Sequence, residues 1–287
     1  MSSYQIITDT ACDISPALLE KWNVKCADMT FHFDGEDKDY TEADMSIYTF
    51  YQSMRDGRVA KTSAVSMESF IKTFEPVLQE GTDILYIGFA TALSNSCQTA
   101  RLVAKDLAEK YPDRKIICID SRCASAGQGL LVYLSVLKRD EGLNLEALAD
   151  YTRETLPSLC HWFTVDNLVY LKRGGRVSAA SALAGTLLQI KPVLHVDDEG
   201  RLIPVKKIRG RKQSIAAMAD SYVKTALDPK GIYFISNGDC PEDAKLLEDM
   251  ICERTGRSCE LITNIGPVIG AHSGPGTLAL FFLGSMR

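Results

Sequence analysis

The sequence predicts an α/β chain of two domains: an N-terminal parallel sheet layered between helices, and a C-terminal α+β domain with a mixed, partly antiparallel sheet. Three observations carry this reading. In the first half, short apolar runs alternate with helical segments, the pattern of strands buried in a parallel sheet with helices on both faces. In the second half, Asp197-Asp198-Glu199-Gly200 joins two strand-like runs as a hairpin. Between them the rhythm changes at Leu156-Pro157, which places the domains at 1–157 and 158–287. At 287 residues and 31.6 kDa, each part is long enough to bury a core.

Tyr4 to Thr8 is a short apolar strand, and Ser15-Pro16 supplies an N-cap followed by proline at the first helical position. Val24 to Phe33 reads as a second strand and Glu42 to Met54 as a helix ending at Asp56-Gly57. Lys61-Thr62-Ser63 is a polar loop before a helix, Met67 to Leu78, with Ser66 as its cap. Asp83 to Ala90 is the strongest strand signal of the chain; a polar loop, Thr91 to Ser96, then leads into a helix from Gln98 to Lys110. Lys115 to Asp120 is a further strand, followed by a small-residue loop and a helix through Lys138. In open parallel sheets, ligands bind beyond the carboxyl ends of the strands. That rule marks Asp9-Thr10, Ser94-Asn95-Ser96 and Asp120-Ser121.

The stretch from Asn167 to Leu194 begins as an apolar helical turn and breaks at Gly174-Gly175 between Arg173 and Arg176. It restarts over Ala179 to Leu188 as a helix of small residues, which Pro192 ends. A cationic rim beside thin-walled apolar sequence suits an amphipathic acid, although a tight helical corner has the same periodicity. Val193 to Val196 and Leu202 to Ile208 form the hairpin, followed by helix Gln213 to Leu227, strand Gly231 to Ser236, helix Glu242 to Thr255 and strand Cys259 to Asn264. The glycine-rich segment Gly266 to Gly276 reads as a shaped loop, and Thr277 to Leu283 as the last strand.

Composition excludes several classes. Hydrophobic content of 46% and charged content of 24% are those of a soluble globular chain. A net charge of -5 argues against general affinity for nucleic acid. The basic run Lys206 to Lys212 is accordingly read as a solvated strand end or a docking surface for an acidic partner. No apolar run approaches the roughly 20 residues of a membrane helix, so stable membrane insertion is not expected. The opening residues enter a strand without a basic leader, and nine scattered cysteines suit buried thiols in a reducing compartment, so a cytoplasmic chain is expected. There is no Cys-x-x-Cys, no His-Glu-x-x-His and no Gly-x-x-x-x-Gly-Lys-Ser/Thr, so neither a metal centre nor a nucleotide cradle is expected. Gly127-Gln128-Gly129 lacks the third glycine of a dinucleotide fingerprint and reads as helix packing.

The candidate chemistry gathers in three places. Ser94-Asn95-Ser96 stands between a strand and a helix, where unpaired N–H groups welcome an anion; either serine could equally be the helix cap. Thr62-Ser63 offers two more short hydroxyl donors. Glycines on both sides of His272 leave bare backbone, so an oxyanion could meet main-chain N–H groups and imidazole together. His32, His161 and His195 are read as structural. The absence of a Gly-x-Ser-x-Gly elbow leaves a hydrolase using Ser94 and His272 without its usual scaffold, and that enzyme is the alternative reading.

Three blocks together resemble the DegV family: Leu171-Lys-Arg-Gly-Gly-Arg-Val-Ser178, Leu187-Leu-Gln-Ile-Lys-Pro-Val-Leu194, and Gly266-Pro-Val-Ile-Gly-Ala-His-Ser-Gly-Pro-Gly-Thr277. Ile7 to Thr10, Asp13, Lys61-Thr62-Ser63, Leu93-Ser94 and Asp120-Ser121 fall in the family's order, so the resemblance spans essentially the whole chain. It implies a two-domain fatty-acid-binding protein with the lipid site between the domains, similar to the FakB subunit of bacterial fatty acid kinase. By the same resemblance the carboxylate-binding residues are Thr62, Ser63, Ser94, Asn95, His272, Ser273 and Gly274, with Arg173 and Arg209 facing an ATP-dependent kinase subunit. No catalytic residue, metal or cofactor is implied beyond the bound long-chain fatty acid. The family commonly has Ser-Gly-Thr where this chain has Ser94-Asn95-Ser96; asparagine tolerates positive φ, which would preserve the loop shape. It also has Ser-Gln-Pro where this chain has Ser63-Ala64-Val65.

Overall fold

The computed structural model describes residues 4–176, 190–285 and 287. Strands β1 (Tyr4–Asp9), β2 (Val24–Ala27), β5 (Asp83–Gly88) and β6 (Ile116–Asp120) form an all-parallel sheet in the order β2-β1-β5-β6. Every residue of β5 is buried, which explains its unbroken apolar sequence. Helices α1 (Pro16–Lys21), α3 (Met67–Gln79), α4 (Ser96–Lys110), α5 (Ala126–Asp140) and α6 (Leu145–Thr155) make the crossovers and flanks. A six-stranded mixed sheet follows, from β7 (Leu159–Thr164), β8 (Ile190–Val196), β9 (Leu202–Arg209), β10 (Tyr233–Asn237), β11 (Leu261–Asn264) and β12 (Leu278–Leu283), in the order β11-β10-β12-β7-β8-β9. Only β10 and β11 pair parallel in it. Helices α8 (Arg211–Thr225) and α9 (Pro241–Thr255) cover its far face. The α/β class with a parallel sheet first and a mixed sheet second is therefore as expected.

The expected division at residue 157 falls in a single 3₁₀ turn, Leu156–Ser158, immediately before β7. A core cluster from Cys160 to Phe282 lies wholly beyond that point, but another crosses it. One continuous cluster joins Ile6, Leu85 and Ile119 of the parallel sheet, through α5, to Phe163, Phe234 and Phe281 of the mixed sheet. Helix α5 is buried on nearly every side and has glycines where neighbours press closest. A Cβ at Gly129 would stand 2.8 Å from the Cys12 carbonyl oxygen, so Gly127-Gln128-Gly129 is the packing device it was read as.

Several elements differ from expectation for local reasons. Val24 to Phe33 is two strands: the chain turns at Asp28-Met29, and β3 (Thr30–Phe33) leaves the parallel sheet to pair antiparallel with β4 (Ala60–Ser63). The polar Lys61-Thr62-Ser63 is thus strand, not loop. Glu42 to Met54 is also divided. Thr41 and Asp44 cap each other across one 3₁₀ turn, Met45 reverts to extended backbone, and Ser46 opens α2 (Ile47–Arg55) by accepting from the Thr49 N–H at 3.1 Å. Gly266 to Gly276 is mostly helix: Pro267 occupies the first position of α10 (Pro267–Ser273), and Gly274 ends it at φ +83°. Helix α6 and strand β7 had no place in the sequence reading. Helix α7 (Val169–Arg173) is the apolar turn before the Gly174-Gly175 break, whereas the expected helix from Ala179 to Leu188 lies outside the described residues.

Candidate functional site

The site is assembled by a strand, a loop and a helix from distant parts of the chain. Thr62 lies on β4, opposite Phe31 of β3, with its side chain half-buried. Helix α10 packs against β4 and α7, which brings His272, in its last turn, to Thr62. Thr62 Oγ1 and His272 Nε2 are 2.8 Å apart. Ser94 belongs to the loop between β5 and α4, where its Oγ accepts from the Ser96 N–H at 3.2 Å and lies 3.0 Å from Ser96 Oγ. Ser96 Oγ in turn accepts from the Val65 N–H at 3.1 Å. With that acceptance made, Ser96 can give its own proton to Ser94, which leaves the Ser94 O–H available to a ligand.

Thr62, Ser94 and His272 border a cavity of about 260 Å³ lined by both halves of the chain. Thr62, Ser94, Asn95, His272 and Ser273 all line it. The rest of its wall is mainly apolar, including Phe89, Leu93, Phe163, Leu171, Val268 and Phe281. No aspartate or glutamate is among the described lining residues, and Arg176 is, so the charged side chains present favour an anion. Burial, reinforced by the nearby Arg176 charge, pushes the His272 imidazole down to about 4. It is therefore neutral near pH 7. Its Nδ1 and the buried Ser273 Oγ have no hydrogen-bond partner among the described residues.

The remaining expected residues fall elsewhere. Ser63 is exposed on β4, and Gly274 caps α10 against the Tyr170 ring; neither lines the cavity. Asn95 caps α4 at φ −79°, so the loop makes no use of the positive φ that asparagine tolerates. Arg173 is exposed at the end of α7, its guanidinium 5.6 Å from the Tyr170 ring centre. Arg209 is exposed at the end of edge strand β9, with Lys206 and Lys207 beside it, while Arg211 pairs with Asp243 at 2.8 Å. Asp9 is a buried structural acceptor, taking hydrogen bonds from Tyr86, Phe89 and Gln128; Asp120 accepts from Thr91 and Arg122. The Ser94–His272 pairing of a hydrolase is not formed, because the histidine turns to Thr62.

Several polar lining residues escaped the sequence reading. Arg176 was seen only as part of a rim. His161 was read as structural. Ser125 was hidden in a small-residue loop: it adopts φ +57°, ψ −149° and donates to the Asp13 carboxylate. Asp13 Oδ1 also accepts from the Gly266 N–H at 2.9 Å, which fixes the start of α10. Backbone strain in a serine ahead of a helix leaves no mark in hydropathy; only the position of Ser125 before a helix hinted at it.

Fold and cavity together define a two-domain α/β protein with a mainly apolar cavity whose lining includes hydroxyl and imidazole groups. The family model described as uncharacterised protein, DegV family, matches residues 3–285, and the chain belongs to the DegV family. It is 37% identical, over 289 aligned residues covering 100% of this chain and 99% of the relative, to a DegV domain-containing protein of Clostridium perfringens. Among solved structures it is similar to a fatty-acid-binding DegV family protein from Thermus thermophilus, with a TM-score of 0.88, 25% identity, and coverage of 97% and 98% of the two chains. It is also similar to a stearic-acid-binding protein from Eubacterium ventriosum, with a TM-score of 0.87, 28% identity, and coverage of 97% and 98%. No helix among the described residues is long and apolar enough to cross a membrane.

Proposed function

We propose that this protein holds a long-chain fatty acid in the cavity and presents its carboxylate to a separate, ATP-dependent kinase subunit for conversion to an acyl phosphate. The observation that carries the reading is the Thr62–His272 pair on the wall of a mainly apolar cavity with no aspartate or glutamate among its described lining residues. The fatty-acid-binding relatives from Thermus thermophilus and Eubacterium ventriosum support it. Each buried methylene stabilises such a complex by about 0.8 kcal/mol, so the acyl tail supplies most of the affinity. Thr62, Ser94, a neutral His272 and Arg176 supply the position of the head group. The protein acts in the cytoplasm as a carrier rather than an enzyme, with kinase contact through Arg173 and Arg209.

Denaturing mass spectrometry of an organic extract of the purified protein tests the first step. A fatty acid near one equivalent supports the reading, and its absence, or a nucleotide in its place, overturns it. Turnover of acyl esters by the purified chain would favour the hydrolase instead.

A further inference from the structure

Asp13 does not line the cavity, yet its side chain holds two segments that do. It is 4% exposed and ends the 3₁₀ turn Thr10–Cys12 in a left-handed conformation, φ 52° and ψ 34°. One carboxylate oxygen, Oδ1, accepts from the Gly266 N–H at 2.9 Å, at the start of α10. The other, Oδ2, accepts from the Ser125 hydroxyl, at the start of α5. The Asp13 carbonyl oxygen accepts from Thr263 Oγ1 at 2.9 Å, on the strand that leads into α10. The Ser125 attachment holds a segment that gives the cavity Ala124 and Ser125. The Gly266 attachment holds one that gives it Ile265, Val268, Ile269 and His272.

Neither segment keeps its place unaided. Ser125 stands at φ 57°, ψ −149°, a region normally left to glycine, so its conformation costs free energy that other contacts must offset. Its hydroxyl lies 2.9 Å from Ser236 Oγ as well as on the Asp13 carboxylate, so two neighbours hold it. At Gly266 the approach leaves no room for a side chain: a Cβ there would stand 3.0 Å from Asp13 Oδ1 and nearer still to Glu42 Oε1. His272 lies six residues further on, about 9 Å along a helix, so a tilt of about 10° at Gly266 moves it by about 1.6 Å. A shift of that size along the 2.8 Å Thr62–His272 contact takes it beyond hydrogen-bond reach.

We propose that Asp13 is a positioning residue for lipid binding: its carboxylate sets the α5 and α10 walls of the cavity relative to each other and so holds His272 beside Thr62. This rests on the fatty-acid reading above and adds to it a residue that lies outside the cavity.

The test is calorimetric titration of delipidated full-chain variants with stearate. Asp13→Gly keeps the left-handed backbone without strain and removes only the side chain, and affinity should fall about tenfold. Asp13→Asn accepts from Gly266 through its amide oxygen and donates to Ser125 through its amide nitrogen, with the Ser125 proton turned to Ser236. Its affinity should return to within about twofold of the parent. Ile251→Ala, which opens a cavity in the core cluster under α9, is the control: stability should fall and affinity should not. Unchanged affinity in Asp13→Gly, an Asp13→Asn variant as weak as Asp13→Gly, or an equal loss in Ile251→Ala would each overturn the assignment. If Asp13→Gly does not fold, Ser125→Ala, which cuts one attachment, decides instead: a loss of about threefold supports the proposal and no loss overturns it. Failure of the unaltered protein to bind stearate, palmitate or oleate would instead sink the fatty-acid reading itself.

Discussion

Thr62 and His272 stand 210 residues apart in sequence and 2.8 Å apart in space, one on a two-stranded ribbon and the other in the last turn of α10. Both residues line the cavity, and most of the expected behaviour follows from what holds them there.

Thr62→Val keeps the shape of the side chain and removes the hydroxyl. Affinity for a long-chain fatty acid should fall about tenfold, the size of one hydrogen bond to a charged group, with the thermal midpoint little changed. Calorimetric titration of the delipidated variant checks it; unchanged affinity would remove Thr62 from the head-group site.

His272 makes folding depend on acidity. The unfolded imidazole titrates at its ordinary value of 6.5, the folded one at about 4. Between these values the unfolded chain holds a proton that the folded chain refuses, so stability should fall as pH drops from 6.5 to 4. His272→Gln should flatten that part of the curve in urea denaturation of the lipid-free protein. An unaltered slope would place the proton uptake on another group.

Asp13 and Glu42 act with the opposite sign. Burial raises Asp13 to about 7, and burial together with the Asp13 charge raises Glu42 to about 8. Here the folded chain keeps protons that the unfolded chain has released, so their contribution to stability is lost as pH rises from about 4 toward 8. Asp13→Asn preserves an acceptor for the Gly266 N–H and removes the titrating charge. Its stability should therefore gain on the parent progressively between about pH 4 and 7 and level off above that, by an amount on the order of a few kcal/mol. A constant offset across that range would contradict the assignment.

Arg173→Ala should leave lipid binding intact and abolish kinase-dependent formation of acyl phosphate, since Arg173 is exposed and absent from the cavity wall. Co-purified lipid and phosphorylation are measured on the same preparation. An empty cavity in the variant would show that Arg173 serves the lipid and not the partner.

Gly274→Ala should destabilise the fold by about 1–3 kcal/mol, because a side chain there meets the Tyr170 ring and forces a left-handed backbone at φ +83°. Gly142→Ala, at φ +99° with no atom within 4 Å, should cost less. Denaturant midpoints of the two variants separate ring contact from backbone strain; equal losses would mean that Tyr170 yields freely.

Much of the architecture is legible in the sequence. Asp83–Gly88 is apolar throughout because it is buried on both faces, and Asp197 to Gly200 turns a hairpin because Asp197 Oδ1 accepts from the Glu199 and Arg201 N–H groups at 3.0 and 2.8 Å. Ser66 and Pro16 mark helix starts by local chemistry alone. Where the reading went astray, a long-range pairing prevailed over local pattern. Lys61-Thr62-Ser63 is too polar to announce a strand, and becomes one only because β3 offers its edge. The Gly-Pro and Gly punctuation of Gly266 to Gly276 was available as a helix signal, and its glycine content hid it.

The chain by itself determined the alternation of elements, the acidic balance and the family blocks, because hydropathy period, capping and turn chemistry act between near neighbours. Only the tertiary structure decided that Thr62, Ser94, Arg176 and His272 line one cavity and that Ser63 and Gly274 do not. Those facts depend on which strand pairs with which and which helix packs where. Sheet pairing and helix packing are settled by the whole core at once, so no local stretch of sequence encodes them.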